Sequence, residues 1–317
     1  MTDFVEWSSG IYRIVDDVGK QGEEYAAYLI LGDEKIAIID IPTRSIGKDI
    51  ISFVKKAGRD PATEIRYLIL THTHPDHWAG IKSMTKIKPQ IWLHESGVEV
   101  LKEGKKHILE NQFPTISKFS LAMKSSLFTK VEKVKEDLIH PFSKSETLDL
   151  GGEEIILQHS GGHSTDSIII QAYKGECTFI GDEGNIYPNQ PAAFFIDGTG
   201  SSENRLKLLK LLANLKTGTI CPSHQSPVPK PYDMYLHNLT FEHTHTKETI
   251  YDLLVSAGEA KAFFLAEEYQ KTLGISWTTP FKELGVAETT VKAFLKELEK
   301  EGKAHYESHN KRYSILS

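Results

Sequence analysis

The feature that most constrains this chain is Thr71-His72-Thr73-His74-Pro75-Asp76-His77-Trp78-Ala79-Gly80, which sets three imidazoles and a carboxylate within six positions. Just before it, Ile65-Arg66-Tyr67-Leu68-Ile69-Leu70 is short, β-branched and aromatic, and reads as a buried strand. Side chains on a short loop at the end of such a strand are fixed by the sheet behind them, which suits chemistry. Two histidines at alternate positions leaving a strand can point the same way and share a cation. Asp76 and His77 follow on a loop stiffened by Pro75 and can serve a second cation nearby. Imidazole nitrogen with carboxylate oxygen is the donor set of zinc and its first-row neighbours, iron and manganese among them.

Three later apolar runs end in residues of the same chemical type. Ile155 to Gln158 reads as a strand and runs into Gly161-Gly162-His163-Ser164-Thr165-Asp166-Ser167. Cys177-Thr178-Phe179-Ile180 ends in Gly181-Asp182, and Thr219-Ile220-Cys221-Pro222-Ser223-His224 closes on a histidine. His-x-His-x-Asp-His at a strand end, followed in order by Gly-His-(Ser/Thr), Gly-Asp and a last strand-end His, resembles the metallo-β-lactamase-fold hydrolase superfamily. The resemblance implies an α/β fold, an αββα sandwich. It also implies that His72, His74 and His163 hold one divalent metal, Asp76, His77 and His224 a second, and Asp182 bridges the pair. Zinc is the expected ion, with iron or manganese as alternatives.

With 317 residues, the chain has room for one large domain and a small one. A formal net charge of -6 gives no global attraction to nucleic acid. The start, Met1-Thr2-Asp3-Phe4-Val5-Glu6-Trp7, lacks a basic stretch leading into an apolar one, and no segment is apolar enough to span a bilayer. A soluble, cytoplasmic protein is expected, with no membrane partner. Cys177 and Cys221, the only cysteines, read as small buried strand residues in a reducing compartment.

Residues 10–41 predict three strands, Gly10 to Val15, Tyr25 to Leu31 and Lys35 to Ile41, in an antiparallel meander. Asp40 falls where the superfamily has an acid supporting the metal loop; a strand-end acid starting a turn is the alternative reading. Ser45 to Gly58 predicts a helix capped by Ser45, and Asp76 to Ile87 another. His94 ends a strand from Gln90 and reads as structural, with proton relay or substrate contact as the alternatives.

The 102–144 segment is a longer excursion than a minimal domain of this kind needs. Ile116, Phe119, Met123, Leu127, Val131, Val134 and Leu138 recur at helical spacing, so an amphipathic helical insertion is expected. It carries nine lysines against five acids. Its apolar stripe fits a substrate lid, a helix packed on the core, or a homodimer contact. The loop after Asp182 contains Tyr187 and a second acid, Asp197, and forms an expected wall of the site. By resemblance to lactonase relatives, Tyr187 is a candidate to bond a substrate oxygen, with packing beneath the loop as the alternative.

The expected division is a catalytic domain over 1–230 and a helical, winged-helix-like domain over 231–317. His243 and His245 lie about 200° apart around a helix, so their rings face away from each other, and a surface position is expected. The tail resembles a superfamily branch with a C-terminal winged helix, some members of which cut RNA. From Phe241 onward, however, nine lysines and one arginine face twelve acids, so the main term in phosphate attraction is missing.

The residues together imply a hydrolase in which two cations share an acidified water, used as hydroxide on a small-molecule ester, lactone or thioester. Asp76 is a candidate to pass a proton to the leaving group. Endoribonuclease action, a single-iron thiol dioxygenase and a non-catalytic binding or regulatory protein are the competing readings. The superfamily's β-lactamases usually lack an acid at the Asp182 position, which argues against a β-lactam substrate.

Overall fold

The computed structural model describes residues 3–16, 24–112, 131–174, 176–185, 191, 193–274 and 285–316. Seven strands form the first sheet in chain order: β1 Asp3–Ser8, β2 Ile11–Asp16, β3 Tyr25–Leu31, β4 Ile36–Ile39, β5 Ile65–Ile69, β6 Gln90–His94 and β7 Ile139–Phe142. The first four are antiparallel, and β4 to β7 run parallel. The second sheet has six strands: β8 Ser145–Asp149, β9 Glu154–His159, β10 Ile168–Ala172, β11 Cys177–Gly181, β12 Thr219–Pro222 and β13 Val228–Pro229.

Alternation along the strands builds the layers, because successive side chains of a strand leave opposite faces. Tyr28, Ile30, Ile39 and Ile69 of the first sheet meet Ile155, Leu157, Ile168, Ile170 and Phe179 of the second, forming the core between the sheets. Their neighbours Leu29, Ile38 and Leu68 face outward, onto Ile46, Ile50 and Val54 of helix α1 (Arg44–Lys56). On the other side Ile169, Ile180 and Ile220 face out onto Leu208, Leu209 and Leu212 of a later helix and onto Tyr232, Leu236 and Leu239. The result is the expected αββα arrangement.

Local chemistry sets the remaining boundaries. Thr43 caps α1, its Oγ1 accepting from Ile46 N at 3.2 Å, so the cap lies two residues before the expected Ser45. Helix α2 (Pro61–Glu64) leads into β5. The helix expected over Asp76 to Ile87 is broken into α3 (Pro75–Trp78) and a 3-10 turn, Ile81–Met84. Gly80 separates them: its backbone lies so close to Thr43 that a Cβ would sit 2.3 Å from the Thr43 carbonyl oxygen. Strand β1 was not expected.

After β6 come α4 (Val98–Glu103), α5 (Lys105–His107) and a π turn, Ile108–Gln112. Residues 113–130, which hold Ile116, Phe119, Met123 and Leu127 of the expected amphipathic stripe, lie outside the described residues. Val131 and Val134 were expected on that helix and instead occupy chain without regular structure. Their apolar side chains are still absorbed by the core beside Leu101 and Ile108.

Helix α6 (Ser202–Asn214) connects β11 to β12, and α7 (Asp233–Ala257) follows the second sheet. Beyond them stand β14 Glu259–Ala260, α8 (Ala262–Leu273), α9 (Val286–Lys300), β15 Ala304–Glu307 and β16 Arg312–Ile315; the three strands pair in the order β14-β16-β15. Ile250, Leu254, Leu265, Tyr269, Val291, Phe294 and Leu298 form a separate core for this region, joined by Phe194 and Phe195 from the loop before α6. Among the described residues, no helix is long and apolar enough to cross a membrane.

Candidate metal centre

The site begins where β4 and β5 end side by side. Asp40 takes a left-handed backbone conformation, φ 56°, which turns its carboxylate beneath the next loop. One oxygen accepts from Thr71 N at 2.8 Å; the other accepts from Thr71 Oγ1 at 2.7 Å and lies 2.8 Å from His77 Nδ1. Asp166 pins the same loop from the other side, accepting from Thr73 N at 2.8 Å, Thr73 Oγ1 at 2.7 Å and Ser164 Oγ at 2.7 Å. Trp78 Nε1 donates to Thr73 O at 3.0 Å. A loop of this length could adopt many shapes, and these bonds leave it one.

The result is two clusters of ligand-type atoms sharing one carboxylate: His72, His74, His163 and Asp182, and Asp76, His77, Asp182 and His224. In the first, His74 Nδ1 lies 2.9 Å from His72 Nε2 and 3.1 Å from His163 Nε2. Asp182 turns Oδ2 toward it, 3.6 Å from His163 Nε2 and 3.9 Å from His72 Nε2. Asp182 Oδ1 faces the second, 3.3 Å from both His77 Nε2 and His224 Nε2, while Asp76 Oδ2 lies 3.3 Å from His224 Nε2. Only Asp76 is substantially open to solvent, its side chain 23% exposed.

The ring nitrogens turned away from the clusters are engaged. His74 Nε2 meets Asp197 Oδ2 at 2.7 Å, His77 Nδ1 meets Asp40, and His224 Nδ1 lies 2.8 Å from Glu24 O. Such partners fix a ring's orientation and tautomer for a metal on the other nitrogen. Asp40 therefore holds the loop after β5, the role the family resemblance implied for it. Asp197, expected only as a wall, reaches across 123 positions to a histidine of the motif.

Charge is distributed unevenly over the centre. Burial, with the His77 and His74 rings, holds His72 well below the usual imidazole range, and burial takes His163 down to about 4. Burial opposes charge on His224 too, but Asp182 and Asp76 outweigh it and push that ring up to about 10. His77 is likewise raised well above its ordinary value, against burial, by Asp182, Asp40 and Asp76. Asp182 is held well below the carboxylate range because the His224 and His77 rings overcome its burial.

The residues fit a pair of divalent cations. His77 Nε2 and Asp182 Oδ1 are fully buried and 3.3 Å apart, yet neither makes a hydrogen bond with any described residue. A buried imidazole nitrogen and a buried carboxylate oxygen that meet by charge without a hydrogen bond are costly unless another group completes them. The donor set, imidazole and carboxylate, is the one divalent zinc, iron and manganese use.

The remaining expected site residues sort as follows. Tyr187 lies outside the described residues. His94 is consumed locally, by Ser96 Oγ at 2.7 Å and Ser143 O at 2.9 Å, and stacks on His159. The surface reading of His243 is overturned: it is fully buried, 3.4 Å from Arg205 Nη1, while His245 is exposed. Burial and the Arg205 guanidinium drop His243 to about 3, so its 3.9 Å approach to Glu297 is not an ion pair. Sequence reasoning missed Glu183, which accepts from His163 N at 3.0 Å and Gly162 N at 3.2 Å, and Arg205, which donates to Glu183 O at 3.0 Å. An acid directly after Asp182 was the available signal for the first. Cys177 and Cys221 are buried and form no disulfide.

Residues 23–224 match the metallo-beta-lactamase superfamily, and the chain belongs to it. The human acyl-coenzyme A thioesterase MBLAC2 is 22% identical over 215 residues, 63% of this chain and 74% of the relative. Two solved structures cover nearly the whole chain, C-terminal region included. A metallo-beta-lactamase family protein from Thermus thermophilus has a TM-score of 0.71 at 18% identity, covering 97% of this chain and 99% of its own. A beta-lactamase domain protein from Burkholderia ambifaria has the same TM-score at 13% identity, covering 99% and 94%. The chain is thus a superfamily hydrolase.

Proposed function

We propose that the chain hydrolyses a small acyl compound, with a thioester placed ahead of an ester or lactone, using two divalent metal ions. The observation that carries the metal reading is Asp182, whose two oxygens face two different sets of imidazoles. In this reading His72, His74 and His163 hold one ion, Asp76, His77 and His224 the other, and Asp182 touches both. When bound, such a pair supplies an acidified water as nucleophile and polarises the attacked carbonyl. Asp40 and Asp197 keep the His77 and His74 rings in the orientation this needs. Asp76, the most exposed of the seven, is the residue that takes up and returns the proton for the leaving group. The thioesterase name of a relative supports the choice among acyl substrates. We also read residues 231–317 as a small winged-helix-like unit, supported by the order helix, short strand, two helices, hairpin.

The test is a turnover panel on zinc-loaded protein: an acyl-coenzyme A, p-nitrophenyl esters, an acyl-lactone and a fluorogenic RNA. Thioester or ester turnover that collapses in Asp182→Ala supports the reading. Cleavage of RNA alone overturns it.

A further inference from the structure

The centre's supports come from two different parts of the chain. The second cluster is held from the N-terminal side: Asp40 at the end of β4 meets His77, the Glu24 carbonyl meets His224, and Arg13 Nη2 donates to Gln225 O at 3.1 Å. The first cluster is held through the loop between β11 and α6, and that loop is gripped by α9. Thr290 Oγ1 accepts from Phe195 N at 3.0 Å, and Thr289 Oγ1 donates to Phe195 O at 2.6 Å. The Phe195 ring lies among α9 side chains, 5.9 Å from that of Phe294. Two residues on, Asp197 holds His74. Thr199, bonded to Asp197 through both N (2.8 Å) and Oγ1 (2.7 Å), accepts from Thr165 N at 3.1 Å in the loop carrying His163.

A second route starts on the same helix. Phe294 of α9 packs its ring against His243, centroids 4.9 Å apart, and His243 lies against Arg205. Arg205 donates to the Glu183 carbonyl, and the Glu183 carboxylate holds the backbone of Gly162 and His163. Every side chain on this route is buried. Among the described residues both routes finish on histidines of the first cluster, whereas the His77 and His224 rings are held by Asp40 and the Glu24 carbonyl, and His224 N donates to Asn185 Oδ1 at 3.3 Å.

We propose that α9 is a positioning element for one of the two metal sites: Thr289 and Thr290 hold the Phe195–Asp197 loop that orients His74, so that the first cluster depends on the C-terminal region and the second does not. The proposal rests on the metal reading above. It gives a helix distant from the reaction a defined task, setting the affinity of a single ion.

The experiment is a chelator competition for zinc in two backgrounds of the full chain. His224→Ala keeps the first cluster whole, and His163→Ala keeps the second. Thr289→Val with Thr290→Val is expected to weaken zinc about tenfold or more in the first background, the size expected for losing an outer partner of a ligand, and to leave the second nearly unchanged. Thr289→Ser with Thr290→Ser, which restores both hydroxyls, is expected to restore the affinity. Equal weakening in both backgrounds, no weakening in the first, or no rescue overturns the proposal. Should the valine pair fail to fold, judged by thermal melting of the metal-free protein, Asp197→Asn tests the last link with the same expected split, and equal effects again overturn it. Absence of zinc uptake by the unsubstituted protein is a separate outcome, which removes the metal reading itself.

Discussion

The first cluster places three imidazoles around one carboxylate, whereas the second places two imidazoles between two, with Asp40 a third acid behind them. The same residue types, in those proportions, give opposite charge states. His72 and His163 are kept neutral and ready for a cation, while His77 and His224 hold protons that a cation must displace. His74 departs from its neighbours: burial disfavours its charge, but the Asp197 bond raises it. Two neighbouring sites on one carboxylate can thus differ in the proton cost of filling them.

The largest effect should come from abolishing the shared feature. Asp182→Ala is expected to lower kcat/KM on the order of 10³-fold, the loss of several kcal/mol of charge stabilisation, and to reduce zinc content, read by elemental analysis. Retention of full activity would sink the shared-carboxylate view.

Acidity separates the clusters next. With His224 raised to about 10, zinc affinity at the second cluster should climb about tenfold per pH unit for each proton displaced between roughly pH 6 and 9. At the first cluster, where His163 sits near 4, that ring adds no such slope above about pH 5. Titrations in the His163→Ala and His224→Ala backgrounds read the two slopes, and identical slopes would contradict the comparison. Stability follows the same signs. Raised above its unfolded value, His224 stabilises the metal-free fold below about pH 6.5, a contribution lost as pH rises through about 10. Depressed to about 4, His163 contributes above about pH 6.5 and loses that contribution as pH falls toward 4. Melting of metal-free protein across pH, with each histidine replaced in turn, checks both.

The outer acids should give a smaller and crossed pattern. Asp40→Asn is expected to weaken zinc roughly 10–100-fold at the second cluster, and Asp197→Asn by a similar factor at the first. Swapped or uniform losses in chelator competition would break the assignment. The smallest effect is expected at Lys300, which reaches from α9 to Glu203 in solvent. Lys300→Ala should leave melting and zinc uptake indistinguishable from the parent, since an exposed pair of this kind contributes little. A clear loss there would mean that general contact with α9, and not the Phe195 loop, supports the site.

Much of the centre was legible because its ligands sit at strand ends, where an apolar run and a polar stop are both visible locally. His72, His74, Asp76, His77, His163, Asp182 and His224 are brought together in two clusters of ligand-type atoms, grouped as the family resemblance implied. The sheets were legible for the same reason: Tyr28, Leu29 and Ile30 alternate between two cores, and alternation can be read along a line. What could not be read was pairing across the fold. Nothing around Asp197 marks it for His74, and Arg205 looks like any helical arginine until α7 covers it. His243 shows the limit well: helical geometry separates it from His245 but does not say which of the two faces inward. The helix expected through Gly80 ends there because Gly80 N donates to Ile41 O, a neighbour in space and not in sequence.

Helix α7 has one more consequence. At about 1.5 Å per residue its 25 residues extend about 37 Å without interruption. Tyr232, Leu236 and Leu239 at one end seal the outside of the second sheet, and Ile250 and Leu254 at the other are built into the neighbouring core. A protein trimmed near residue 230 would keep every proposed ligand and yet leave part of a hydrophobic wall wet. The two halves share a strut, so evolution or an engineer can alter the tail but cannot simply unplug it.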